Sequence, residues 1–451
     1  MATHQSRWRN LLSWLNEHGM ETSETSLLVE RRLIRQGTEY YGLYTKKALS
    51  PNTTLFTVPR TALMNIKTLS SHYGIGAKSL SATQLISLHL LLHRPLPGKE
   101  SLDPLFGPYI STLPRDFDYH PLSWTIKGSM GPSFELLPPS ATQALRDLFS
   151  KFRSDLAGVS SYVRDNPRVL ETTSKTCSDF VESSEWLIHD YLWAWLNVNT
   201  RCIYYQVKNS PADPDNITLC PILDFANHSS HLPCMSPPPP SVKRNFRSTR
   251  CLDLSLLSPS DSPIDADCEL YLKYGGHCNR VLFAEYGFVL PLDLIPKDER
   301  VLEVNVDDIV ETLFLEKGET GAWMKDVLVL ENYWRDWTMH YASGSAFPSY
   351  RLVIALRLIS IFPPGSLSPF SKDMLRPWKD VVVGNSDKLS PNLEETWRGI
   401  LQCVCTTIVE RASKALVKSE IQEHDSIVAL WTEEKFVAER LSDLVESGET
   451  L

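Results

Sequence analysis

Apolar residues first recur at helical spacing in the opening segment, where Trp8, Leu11, Leu12 and Leu15 share one face and Gly19 ends the run. From Leu27 to Arg60 the period shortens. LLVERRLI, YYGLYTK and TLFTVP are short runs of β-branched and aromatic residues, divided by Gly37, Gly42 and Pro51, and they predict strands. Between Ser81 and Tyr162 the helical period returns in SATQLISLHLLLHR and ATQALRDLFSKF, on either side of a proline-punctuated loop, PYISTLPRDFDYHPLSW. A long helix is predicted near 179–199, carrying Phe180, Trp186, Leu187, Tyr191, Trp193 and Trp195. Strand signals reappear at RCIYYQV, ITLCPIL and CELYLKYG. Beyond about Asp298 the pattern is helical again, in YRLVIALRLISIF, ETWRGILQCVCTTIVERASKAL and HDSIVALWTEEKFVAERLSDLV.

Strands, a helical interruption, more strands and a helical tail make an α+β protein. They do not alternate as a doubly wound sheet requires. The expected organisation is an N-terminal helix over 1–25, a strand-bearing region over 26–295 with a helical insertion at about 70–190, and an all-α domain over 296–451. Within the second region, residues 231–266 change composition. SPPPPS, SPSDSP and the basic cluster Lys243, Arg244, Arg247 and Arg250 read as a polar, solvated loop whose charge suits an acidic surface.

Composition narrows the class. Hydrophobic residues make up 42% of the 451-residue chain, enough apolar side chain to offset chain entropy in a folded core. The net charge of −9 argues against a general nucleic-acid binder and suits a basic partner. No run of about 18 uncharged apolar residues predicts a membrane span, and the first nineteen residues lack the apolar core of a secretory leader. Nine scattered cysteines without CxxC spacing read as free thiols in a reducing compartment, so a cytoplasmic or nuclear monomer is expected. The sequons at Asn52, Asn216 and Asn227 are then incidental.

Nucleotide-binding and hydrolase signatures are absent: there is no GxxxxGK[ST], GxGxxG or GxSxG. His89 and His93 stand four apart on a predicted helix, a spacing at which two imidazoles can share a metal. LHLLLHR supplies no neighbouring carboxylate and no evident third ligand, so no metal site is expected. Three separated segments carry more. WAWLNVNTRCIYY ends a tryptophan-rich helix in Thr200-Arg201. LCPILDFANHSS runs an apolar strand into Asp224 and Asn227-His228. ELYLKYGGHCNRVLFAEYGFVLP holds Tyr274-Gly275 and Tyr286-Gly287-Phe288. Singly, each has a plain structural explanation, as a helix cap, a turn or a strand end.

In this order they resemble the SET-domain protein methyltransferases, in the split-SET branch that includes the Rubisco large-subunit enzyme and fungal ribosomal-protein and elongation-factor lysine methyltransferases. YYGLYTKKALSPNTTLFTVPRTALM resembles that branch's opening hairpin, PYISTLPRDFDYHPLSW its inserted helical region, and FPSYRLVIALRLI its helical C-terminal domain. The resemblance covers about residues 10–440 and makes 26–295 a SET region. It implies methyl transfer from S-adenosylmethionine to a lysine on a non-histone protein. By the same resemblance, Tyr274 is the catalytic phenol that orients the amine, and Arg201 holds the cofactor carboxylate. Asn227 and His228 meet the cofactor's amino and adenine ends, with Asp224 leading into that turn. Tyr286, Gly287 and Phe288 pack on the adenine, and Gly42, Leu43 and Tyr44 form a loop whose backbone approaches the methionine moiety.

This chain departs from the branch at two places. The usual G-x-G-L reads Tyr40-Tyr41-Gly42-Leu43, and the stretch between Asn227-His228 and Tyr274 holds the Pro/Ser-rich insertion and DADCEL in place of a G-E-E turn. Two alternatives stay open at this level: a protein-histidine methyltransferase, and a SET-fold adaptor without turnover.

Overall fold

The computed structural model describes residues 4–22, 26–33, 39–73, 75–128, 134–171, 176, 180, 184–239, 252–362 and 372–448. The chain divides into two compact units, Met1–Tyr119 with Leu148–Gly276, and His120–Asp147 with His277–Leu451.

The first unit opens with the helix His4–Glu17, which buries Trp8, Leu11, Trp14 and Leu15. Its strands are short: β1 (Leu27–Leu33), β2 (Glu39–Thr45), β3 (Thr54–Val58), β4 (Ile203–Tyr204), β5 (Ile217–Thr218), β6 (Cys234–Met235), β7 (Leu254–Leu257), β8 (Cys268–Glu269) and β9 (Tyr271–Leu272). β1 and β2 pair antiparallel from Leu27 opposite Thr45 to Leu33 opposite Glu39, and β8 adds to the other edge of β2 with Glu269 opposite Tyr44. β3 pairs antiparallel with β7, β4 with β5, and β6 runs parallel to β9.

Two of these pairings correct the sequence reading of 231–266 as one solvated loop. β6 and β7 lie inside that stretch and complete sheets with β9 and β3. LSLL is too short and too plain to register as a strand until β3 supplies its hydrogen-bonding partner. The basic cluster Lys243, Arg244, Arg247 and Arg250 lies outside the described residues.

Between these strands sits a helical layer. The helix Ala82–Leu92 begins in a capping box: Ser81 accepts from Gln84 N at 3.2 Å, and Gln84 accepts from Ser81 N at 3.0 Å. It is apolar nearly all round, so it is buried, and it packs on the helix Glu185–Arg201. Asp155 joins the two, accepting from Gln84 at 3.1 Å and from Trp195 Nε1 at 2.9 Å.

The second unit is built mainly of helices, with Tyr350–Ile361, Pro391–Leu416 and Asp425–Ser447 around a core that includes Trp337, Phe362, Trp378 and Leu401. The tail read as all-α also carries an antiparallel sheet of β10 (Leu302–Asn305), β11 (Thr338–Ala342) and β12 (Ser345–Pro348). These strands are four or five residues long, below the length at which alternation stands out from its flanks. The segment 120–147 belongs to this unit because Leu137, Ala141 and Leu145 pack with Phe283, Ala284, Ile427 and Trp431. Ser140 also donates to Glu434 at 2.7 Å, and Trp431 Nε1 to the Leu136 carbonyl at 2.8 Å.

Candidate active site

The helix Glu185–Arg201 delivers Arg201 to the first unit's polar centre. Arg201 Nη1 donates to the Asp224 carbonyl at 2.7 Å, while its Nε is buried without a hydrogen-bond partner. Asp224 sits on the single turn Leu223–Phe225, immediately after Ile222. Ile222 holds φ at +71°, a region that β-branched residues rarely enter. Strain of this kind persists where surrounding packing dictates it, and it concentrates at functional sites.

The Asp224 residue retains some exposure, but its carboxylate is enclosed. Oδ2 accepts from the Tyr109 hydroxyl at 3.1 Å, and Oδ1 is buried with no partner. Burial pushes this carboxyl up to about 6, against the pull of Arg201 and the Tyr109 bond. The neighbouring Cys202 and Cys220 thiols are pushed up first by burial and then by Asp224, so neither supplies a thiolate. An unpaired guanidinium N–H at the helix end and an unpaired carboxylate oxygen on the turn it bonds suit a zwitterion, such as the amino-acid end of a ligand.

Beyond Ala226 the chain places Asn227 and His228 beside β9, with Leu272 N donating to the Asn227 carbonyl at 2.9 Å. Tyr274 follows two residues after β9. Its amide donates to His228 Nδ1 at 3.1 Å and its hydroxyl to the Ala226 carbonyl at 2.9 Å, and the two rings lie 5.2 Å apart. The imidazole and the phenol are thus each held by backbone of the other's segment.

Asn227 donates from Nδ2 to the Tyr41 carbonyl at 3.0 Å and to Glu269 Oε1 at 2.6 Å. Glu269 Oε2 accepts from the hydroxyls of Tyr44 and Tyr271, both at 3.1 Å. A Cβ on Gly42 would stand 2.5 Å from Glu269 Oε1, so only glycine leaves this carboxylate its place.

Arg201, Asp224, Asn227, His228 and Tyr274, separated by up to 73 positions in sequence, therefore form one cluster. Gly42, Leu43 and Tyr44 reach it through Glu269, but as strand rather than loop. They lie inside β2, paired with β1, and the Leu43 carbonyl accepts from Leu270 N at 2.7 Å. The β-forming character of YYGLYT and an available partner on each side override the turn signal of Gly42. The Tyr40 side chain lies outside the described residues.

Tyr286, Gly287 and Phe288 belong to the second unit. Tyr286 closes the short turn Leu282–Tyr286, Gly287 takes φ +81°, and burial raises the Tyr286 phenol. Sequence reasoning missed Tyr109, Tyr271 and Glu269 as parts of the cluster. The alternation of Glu269, Tyr271 and Lys273 in CELYLKYG was the available signal, since residues two apart on a strand share a face.

No protein-family model matches the chain. The chain is 27% identical over 340 residues to the ribosomal lysine N-methyltransferase set11 of Schizosaccharomyces pombe, covering 75% of this chain and 72% of that protein. It is 25% identical over 438 residues to the SET domain-containing protein 4 of Mus musculus, covering 93% of this chain and 85% of that protein. Among solved structures, the SET domain of LSMT bound to lysine and AdoHcy superposes with a TM-score of 0.61, over 99% of this chain and 92% of that one, at 17% identity. The fold is that of the Rubisco LSMT structures, with a helical region following the SET strands.

Proposed function

We infer that this chain is an S-adenosylmethionine-dependent protein-lysine N-methyltransferase with a split SET domain. The observation that carries this reading is the cluster of Arg201, Asp224, Asn227, His228 and Tyr274, with Arg201 Nε and Asp224 Oδ1 buried and unpaired. The relatives of similar length support the same reading. S-adenosylmethionine, when bound, supplies an electrophilic methyl group on a sulfonium.

The chain's own residues do the rest. Arg201 offers its free N–H to the ligand's carboxylate. Asn227 is held by Tyr41 and Glu269, so its amide presents a fixed edge toward the amino end, and His228 stands at the adenine end. Asp224 shapes the turn between Arg201 and Asn227. Gly42, Leu43 and Tyr44 wall the methionine end as strand backbone.

Tyr274 donates its proton to the Ala226 carbonyl, so toward a lysine ε-amine the phenol oxygen acts as a hydrogen-bond acceptor. In-line attack needs a neutral amine, and apolar walls favour it because desolvation lowers a lysine pKa. The amine gives its proton to solvent before transfer, and the chain's contribution is alignment of the neutral amine, without a covalent enzyme intermediate.

The substrate is a lysine on a non-histone protein such as a ribosomal protein or translation factor. The chain acts as a monomer in the cytoplasm or nucleus, without direct nucleic-acid contact. Incubating the purified chain with methyl-labelled cofactor and ribosomal proteins tests this. Label on a lysine, located by mass spectrometry, is the expected result. No transfer combined with no cofactor binding by calorimetry overturns it.

A further inference from the structure

The histidine pair at the end of the helix Ala82–Leu92, with His89 in its last turn and His93 as its C-cap, acquires in three dimensions the carboxylate that its sequence neighbourhood lacks. The segment after the helix folds back and brings Asp103 against both rings. His89 Nε2 stands 3.0 Å from Asp103 Oδ2, and His93 Nε2 stands 3.7 Å from Asp103 Oδ1. One ligand atom from each of the three residues can be chosen so that all lie within 4.8 Å of one another.

Four-coordinate zinc, with bonds of about 2.0–2.1 Å, sets its ligand atoms roughly 3.3 Å apart. Small side-chain rotations would bring this triad to that spacing. The side chains of His89 and Asp103 are 2% and 1% exposed, whereas His93 is 18% exposed. The cluster is thus a buried pair with one ring at the rim, where a water could complete the coordination.

Two further observations point to a cation rather than to a closed ion pair. Asp103 Oδ1 is buried with no hydrogen-bond partner, an arrangement that costs stability unless something accepts its lone pairs. On the far side of His89, Nδ1 lies 2.8 Å from the Tyr73 hydroxyl. Without a cation, His89 Nε2 hydrogen-bonds Asp103 Oδ2 at 3.0 Å; a bound cation replaces that proton, and a proton on Nδ1 directed at the Tyr73 oxygen is the tautomer that then lets Nε2 ligate. Asp103 is itself fixed, because Phe106 N donates to its Oδ2 at 2.7 Å.

We propose that His89, His93 and Asp103 form a binding site for one zinc-class divalent cation, which clips the end of the helix Ala82–Leu92 to the segment leading into Gly107–Ile110. The site is separate from the methyl-transfer cluster and does not depend on that reading. Two imidazoles and a single carboxylate favour zinc over magnesium or calcium, which prefer all-oxygen shells.

Zinc chloride titrated into the metal-stripped full chain, followed with a competing chromophoric chelator, tests the site. One equivalent taken up, together with a rise in melting temperature, is expected. His93→Gln removes the ligand nearest solvent and leaves the buried pair intact. It is expected to abolish both effects while its circular dichroism matches that of the parent, and His72→Gln on the neighbouring helix Ile66–Tyr73 is expected to retain both. Tyr73→Phe keeps the ring and removes the orienting oxygen, with an expected loss of about tenfold or more in zinc affinity. Absence of saturable uptake by the parent chain, or equal uptake by a folded His93→Gln variant, overturns the proposal.

Discussion

Each unit of this protein holds an asparagine whose amide grips a glutamate, and the two pairs differ in what surrounds them. In the first unit Asn227 donates to Glu269 at 2.6 Å, yet both residues retain solvent exposure, and the adjoining Arg201 and Asp224 keep buried atoms without partners. In the second unit Asn279 donates to Glu433 at 2.5 Å and to the Leu290 carbonyl at 2.9 Å, and its Oδ1 accepts from Leu290 N at 2.6 Å. There the residues are 5% and 3% exposed, and every donor and acceptor of the asparagine amide is used. The same two residue types thus build a closed brace in one place and the edge of an incomplete site in the other. Buried polar groups that complete one another hold structure, and in the first unit the unpaired atoms of Arg201 and Asp224 are those the proposed cofactor would meet.

The contrast breaks if the two asparagines respond alike. Asn279→Ala strands the Glu433 carboxyl and the Leu290 amide, so a stability loss of about 3 kcal/mol is expected, with cofactor affinity per folded molecule unchanged. Chemical denaturation and calorimetry on the same variant measure both quantities. Tyr274→Phe should lower turnover about a hundredfold or more while cofactor binding is retained. Loss of binding in that variant would move Tyr274 into the cofactor site. Asn227→Ala should weaken cofactor binding about tenfold, near 1.4 kcal/mol, and cost less stability than Asn279→Ala. Unchanged affinity in the calorimeter would show that the Asn-His motif serves another purpose.

Protons sharpen the same comparison. Burial pushes Glu433 up to about 8 and Glu434 to about 7 from the ordinary carboxylate range, so the folded unit holds protons that the unfolded chain gives up. Their stabilising effect is complete below the unfolded carboxylate pKa and fades as pH climbs toward 8. His120 works on the opposite limb. Burial holds it down to about 4, so its contribution is lost as pH falls from about 6.5 toward 4. Melting curves across pH should show the second unit losing at least about 1 kcal/mol between about pH 5 and pH 8, and Glu433→Gln should flatten that slope. The smallest effect is expected from Gly42→Ala, whose new methyl must displace the flexible end of Glu269. A stability change under about 1 kcal/mol with a measurable drop in cofactor affinity would tie the carboxylate to the site.

Much of this was legible from residue order. WAWLNVNTR announced a helix ending at Arg201, and LCPILDFANH with LKYGG named four of the cluster's residues, because a site built on segment ends keeps its residue types at recognisable offsets. Glu269 was hidden because its role arises only when β8 pairs with β2 and faces Asn227 from a third segment. LSLL and LEVN were hidden because four residues carry too little periodicity, and their identity as strands comes from their partners. Asp103, ten residues beyond His93 and past a Pro-Leu-Pro-Gly turn, could not be assigned to the histidine pair from spacing.

The sequence alone determined the helices, the opening hairpin and the order of the chemical motifs. These depend on local period, capping and residue type, which the chain states directly. Tertiary structure decided which of those groups are left incomplete. Whether a carboxylate is paired, stranded or protonated depends on what lies within a few ångströms of it, and for Asp224, Asp103 and Glu433 those neighbours come from distant segments.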